Sequence, residues 1–162
     1  MKEIRYMAAK SEFFELSGYG YNIMTRKANQ FGKFQLDLEL TDPEEIQKAE
    51  ELEMKFGLKI KDQLTYSKDG AKVTKPGVSA ITLTAKMVEG GQYPRKFIPT
   101  TKADNGSVIE DLISHGAKVT ARFKVFPYSS GTTDSGHSYP AGFSFQLENV
   151  KVHEYVPYRS VA

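Results

Sequence analysis

The sequence predicts an all-β chain, mainly strands with one helix, and three observations carry that expectation. FGKFQLDLEL places Phe34, Leu36, Leu38 and Leu40 on one side and Lys33, Gln35, Asp37 and Glu39 on the other. That period of two marks a half-buried strand with a wet outer face. GAKVTARFKVFPY repeats the pattern from Gly116 to Tyr128, with Val119, Ala121, Phe123 and Val125 as its core side. One long stretch, from Asp42 to Gly57, instead carries its apolar residues at helical spacing. At 162 residues, the chain is expected to form one domain over 1–162.

After a mixed N-terminal segment, Tyr19 to Lys27 has strand-forming residue types, and a break at Ala28–Gln30 leads into the strand ending at Leu40. A hairpin is the simplest pairing of the two. The pattern changes at Thr41. Asp42 serves as N-cap, Pro43 takes the first helical position and Glu45 completes a capping box. Ile46, Ala49, Leu52 and Phe56 follow at helical spacing, and Gly57 stops the helix, which spans 42–57 and lies across one end of the sheet.

Residues 58–77 read as a basic insertion or hairpin, with turns at Asp69–Gly70 and Pro76–Gly77. Ile81, Leu83, Ala85 and Met87 then alternate with Thr82, Thr84 and Lys86. A further extended stretch runs from Tyr93 to Pro99, and Val108 to Ile113 suggests a helical turn. The closing strands are Gly116 to Tyr128 and Ala141 to Tyr158, separated at 129–140 by a polar segment rich in Gly and Ser that reads as a flexible loop. In the last strand the apolar parity switches from Phe143, Phe145 and Leu147 to Val150 and Val152, which asks for a bulge near Glu148–Asn149. A mostly-β chain of this size removes its sheet edges by forming a sandwich or a small barrel. The order of elements favours a five-stranded barrel of the OB type with an inserted hairpin or loop region.

Composition narrows the function classes. The chain has no cysteine, so disulfides, thiolate metal sites and thiol nucleophiles are excluded, and a cytosolic location is expected. No apolar run approaches the roughly 20 residues of a membrane-spanning helix, and the N-terminal stretch is too acidic for a signal peptide. His115, His137 and His153 are far apart and lack metal-ligand spacing; Ser135-Gly136-His137 falls in the polar loop, and no phosphate-binding glycine motif is present. Nothing points to an enzyme, a metal or a cofactor. Charge is uneven: the first 58 residues hold 8 Lys/Arg against 11 Asp/Glu, and the remainder 14 against 9. A basic second part is what one surface facing an anionic polymer requires.

The strand from Gly116 to Tyr128 is the most informative. Opposite its core side stand Lys118, Thr120, Arg122, Lys124, Phe126 and Tyr128. Cations that track phosphates beside rings that stack on bases are the combination single-stranded nucleic acid calls for. The bland alternative is that Phe126 and Tyr128 pack under a loop while the cations solvate the surface. Three further clusters lean the same way: Tyr93, Arg95, Lys96 and Phe97 in QYPRKF; Tyr66, Lys68, Lys72 and Lys75 around the Asp69–Gly70 turn; and Tyr19, Tyr21, Arg26 and Lys27 on the first strand.

The hairpin, the capped helix, GAKVTARFKVFPY, the polar loop and GFSFQLENVKVHEY together resemble the single-stranded DNA-binding proteins of tailed bacteriophages. The resemblance is strongest over the last third of the chain. It implies an OB fold, a role in phage DNA replication or recombination in the host bacterial cytoplasm, and a DNA-binding surface including Lys118, Arg122, Lys124, Phe126 and Tyr128 with Arg95 and Lys96. Replication proteins and a second copy of the chain are the further partners it brings in. Known members end in an acidic tail, whereas this sequence ends YVPYRSVA, which puts tail-dependent partners and tail-swapped dimers in doubt. The competing expectation is a β-rich structural or interaction module, such as a virion component, whose exposed aromatics form a subunit interface. An RNA-directed OB-fold protein is a third, since a stacking platform accepts either sugar.

Overall fold

The computed structural model describes residues 11–154 apart from 27, 30, 69, 70, 93, 111, 112, 114 and 129, with the side chains of 66–68, 71, 72 and 139 also outside the description. Nine strands and one helix are described: β1 (Glu12–Met24), β2 (Lys33–Leu40), α1 (Pro43–Phe56), β3 (Lys61–Lys68), β4 (Ala71–Lys86), β5 (Thr100–Lys102), β6 (Ala117–Tyr128), β7 (Gly131–Thr132), β8 (Ser138–Tyr139) and β9 (Gly142–Glu154). The main sheet has the order β3-β4-β2-β1-β6-β9-β5. A parallel pairing of β4 with β9, at Thr84 and Gln146, joins its two sides. Strands β4, β2, β1, β6 and β9 therefore form a closed ring, a five-stranded barrel of the OB type as the sequence predicts.

The barrel interior collects the apolar parity of each strand. Leu16, Phe34, Leu36, Leu38, Ile81, Leu83, Val119, Ala121, Phe123, Leu147 and Val150 are all fully buried. Bulges bend the strands enough to close. On β9, Arg122 faces Asn149 while Phe123 faces Leu147, which leaves Glu148 as the extra residue, at the place where the parity switch requires one. On β1, Tyr21 faces Asp37 and Met24 faces Gln35, and Asn22 takes a positive φ of 49° there, a conformation that Asn tolerates better than most residues. Two glycines let β1 approach β2. A Cβ on Gly18 would collide with the Glu39 carbonyl oxygen, and one on Gly20 would lie 3.1 Å from Leu36 Cδ1.

The helix follows the sequence expectation from Pro43 to Gly57, which caps it at φ 82°. Its N-terminus differs in one respect. Asp42 Oδ1 accepts from the Glu44 backbone N–H at 2.9 Å, but Glu45 does not serve a capping box: its Oε2 accepts from the Ser17 backbone N–H at 3.1 Å and ties the helix to β1. Ala49 and Leu52 are buried, and Phe56 packs on Phe14 and Phe143 at centroid distances of 5.6 and 5.0 Å. The helix thus covers the barrel end carrying Phe14.

Several local expectations are corrected. The first strand begins at Glu12 rather than Tyr19, because Phe14 and Leu16 already alternate with Phe13 and Glu15. Pro76–Gly77 is not a turn. It lies within β4, where Gln63 faces Pro76 and Lys61 faces Ala80, so Gly77, at φ 75°, sits in a bulge; the Asp69–Gly70 turn lies outside the described residues. The stretch up to Pro99 is no strand beyond the Val88–Arg95 bridge. Its Ile98 is buried, and β5 after it pairs with β9. Val108 to Glu110 is not helical; Val108 bridges Thr101, and Ile109 and Ile113 enter the core. The 129–140 loop carries its own hairpin, with Gly131 facing Tyr139 and Thr132 facing Ser138. No described helix is long and apolar enough to cross a membrane.

Gly18→Ala is expected to lower stability by about 1–3 kcal/mol, the usual cost of overpacking, because it meets backbone rather than a side chain. Gly90→Ala, with open space around it, should be close to neutral. Denaturant midpoints of the two variants check this.

Candidate nucleic-acid interface

Strand β6 lies between β1 and β9, and its outward side chains meet those of both neighbours in fixed rows. Lys118 stands between Tyr19 and Glu154, Thr120 between Ser17 and Lys151, Arg122 between Glu15 and Asn149, and Lys124 between Phe13 and Gln146. Phe126 faces Ser144 and Tyr128 faces Gly142. The period of two therefore brings Lys118, Arg122, Lys124, Phe126 and Tyr128 onto one side of one strand, as expected.

Cations and rings interleave on this face. The Arg122 guanidinium lies 4.6 Å from the centroid of Phe13, and Lys124 Nζ lies 5.4 Å from that of Phe126. Phe13 and Tyr128 are exposed, and Phe126 is half-buried. Tyr128 leans across to β9, where a Cβ on Gly142 would meet its hydroxyl at 2.7 Å, so part of that ring covers strand backbone. The middle of the face is polar. Thr120 Oγ1 lies 2.7 Å from Ser17 Oγ and 2.6 Å from His153 Nε2. Next to it Glu15, Thr120, Arg122, Asn149 and Lys151 line a shallow pocket of about 70 Å³. Two carboxylates sit among the cations: Glu15 Oε1 is 4.0 Å from Arg122 Nη1, and Glu148 Oε1 is 3.8 Å from Lys124 Nζ.

The other predicted cations lie on different elements. The Arg26 guanidinium, just after β1, stacks over Phe97 at 4.3 Å. Arg95 Nη1 donates to the Lys86 carbonyl oxygen at 2.9 Å, at the end of β4, and Lys96 is exposed beside it. Lys86, the partner of Arg95, lies on β4, whose Thr84 pairs with Gln146 of β9, the residue that faces Lys124. Tyr93 lies outside the described residues, as do the side chains of Tyr66 and Lys72. Lys75 is exposed, and its Nζ meets Glu39 Oε2 at 2.8 Å.

That ion pair belongs to a second surface, and it corrects the expectation of a wet outer face on β2. Asp37 and Glu39 are each only 5% exposed, because the β3–β4 hairpin folds over them. Asp37 is satisfied by neutral donors: Thr82 Oγ1 at 2.8 Å, Gln35 Nε2 at 3.1 Å and the Asn22 amide. Asn22 also donates from its side-chain amide to the Thr65 carbonyl oxygen at 3.0 Å, and from its backbone N–H to His115 Nδ1 at 3.0 Å. It therefore links β1, β2, β3 and the turn before β6. A cleft of about 230 Å³ remains beneath the hairpin, lined in part by Asp37, Lys61, Gln63 and Thr82.

Further contributors to the β6 face come from its neighbours. Phe13 and Glu15 alternate with Phe14 and Leu16, and Lys151 and His153 alternate with Val150 and Val152. The parity of each strand contained them; what it lacked was the pairing that sets them beside β6.

No protein-family model matches the chain, and no curated protein sequence matches it. Its fold is shared with a solved structure. The crystal structure of gp2.5, a single-stranded DNA-binding protein encoded by bacteriophage T7, superposes with a TM-score of 0.57 at 14% identity, covering 94% of this chain and 91% of that one. The single-stranded DNA-binding protein from bacteriophage Enc34 aligns over 91% of this chain and 84% of its own, with a TM-score of 0.46 at 13% identity.

Asn22→Ala should loosen the hairpin before it unfolds the barrel, since it removes the amide shared by Asp37 and Thr65. Amide hydrogen exchange over Lys61–Pro76 is expected to speed up, with exchange on β6 and β9 little changed.

Proposed function

We propose that the protein binds single-stranded DNA without strong sequence preference, through the outer face of β1, β6 and β9, and acts in phage DNA replication or recombination rather than as an enzyme. The observation that carries this reading is the β6 face itself. Lys118, Arg122 and Lys124 project from one strand with Lys151 beside them, and Phe13, Phe126 and Tyr128 supply rings at the same end. Side chains two apart on a strand recur every ~6.8 Å, so the cations form a line along which a phosphate backbone can lie. The rings take bases by stacking, which is sequence-tolerant. The shared fold adds weight, because gp2.5 is itself a single-stranded DNA-binding protein. In this reading Arg26, Phe97, Arg95 and Lys96 extend the path at the end of β4.

The alternative OB surface is the outer side of the second and third barrel strands, here β2 and β4. Its buried Asp37 and Glu39 repel phosphate, and the hairpin covers them, so β6 is the better floor.

Fluorescence anisotropy with oligo-dT and a matched duplex tests the proposal. Tight binding to the single strand, weakening with salt by about 0.7 in the log–log slope for each phosphate neutralised, and weak duplex binding are expected. Arg122→Ala and Lys124→Ala should weaken all sequences alike. Phe13→Ala and Phe126→Ala should each cost about 1–3 kcal/mol if the ring stacks on a base. Absence of binding at low salt would overturn the function, and wild-type affinity in all four variants would overturn the placement.

A further inference from the structure

We propose that Glu15 and Glu148 are built-in competitors for phosphate, occupying Arg122 and Lys124 until a polyanion displaces them. This rests on the single-strand reading and concerns how the same face is regulated. The register fixes both carboxylates in place. Glu15 faces Arg122 directly across β1 and β6. Glu148 is the bulged residue of β9, and Gln146 Nε2 donates to its Oε1 at 2.8 Å, which holds that same oxygen 3.8 Å from Lys124 Nζ.

The Arg122–Glu15 pair is not needed to hold the fold together. The Arg122 and Glu15 side chains are 46% and 48% exposed at a separation of 4.0 Å, the kind of contact that contributes little to stability. Their effect falls instead on a ligand. An incoming phosphate must separate each cation from its carboxylate, and the released carboxylate then lies among phosphates of like charge. A single phosphate gains too little to do this at both positions. A strand that engages Lys118, Arg122, Lys124 and Lys151 together can, so the two glutamates favour polymers over isolated anions.

The test is Glu15→Gln and Glu148→Gln, singly and together, against Glu50→Gln, which removes the same charge from an exposed position on α1. Oligo-dT affinity at low salt is expected to rise several-fold in the double variant, with the salt slope little changed because the same phosphates are neutralised. Glu50→Gln should leave both nearly unchanged. In an Arg122→Ala background, Glu15→Gln should lose its effect, because the cation it frees is gone. Wild-type binding with Glu15→Gln/Glu148→Gln indistinguishable from Glu50→Gln would overturn the competition and leave the single-strand reading standing. Failure of the wild type and every variant to bind would overturn both.

Discussion

Closure of the sheet between Thr84 of β4 and Gln146 of β9 is the constraint from which the remaining geometry follows. Five strands cannot form a ring without bending, and the bending is concentrated at a few residues. Asn22 on β1 and Glu148 on β9 are extra residues that kink their strands. Gly18 and Gly20 face the interior where a side chain would strike β2. The β4–β9 ladder pairing is a single residue pair, and Ile98 to Lys102 follows β9 too: Val150 donates to the Pro99 carbonyl oxygen at 2.9 Å, and Ile98 enters the core.

Closure also decides where charge is exposed. With the interior reserved for apolar side chains, every polar residue of the barrel strands must point outward, and the outside divides into two kinds of surface. On β2 the outward Asp37 and Glu39 are acidic, and the β3–β4 hairpin buries them under neutral donors and Lys75. Buried carboxylates are tolerated when their lone pairs are satisfied, and Asp37 with Asn22, Gln35 and Thr82 meets that condition. On β6 the outward Lys118, Arg122 and Lys124 are cationic, and no described strand lies over them. The bulge that bends β9 also supplies Glu148 to that second surface, so one local irregularity serves both the shape of the barrel and the electrostatics of its outer face.

Much of this was legible in the sequence because the signals are local. The alternation over Phe34–Leu40 and Val119–Val125, the cap at Asp42, the stop at Gly57 and the parity switch after Leu147 each depend on a few neighbouring residues, and the fold keeps all of them. What was not legible depends on pairing between distant segments. The acidic side of β2 reads as solvent-facing until the hairpin is folded over it. Pro76–Gly77 has the composition of a turn, yet a long strand can absorb it as a bulge. Glu45 completes a capping-box pattern, but Ser17 from another strand offers a better use for its carboxylate. Of the candidate site, the β6 residues were legible from periodicity, whereas Phe13, Glu15, Lys151 and His153 gain their meaning only from the register of β1 and β9 against β6.

The most direct measurement is a map of backbone amide chemical shifts during titration with a short oligo-dT. Shifts concentrated on Phe13–Ser17, Lys118–Tyr128 and Gln146–His153 are predicted, with β2 and the β3–β4 hairpin moving little. Shifts confined to β2, β4 and the hairpin, or no shifts at saturating oligonucleotide, would contradict the β6 face as the binding surface.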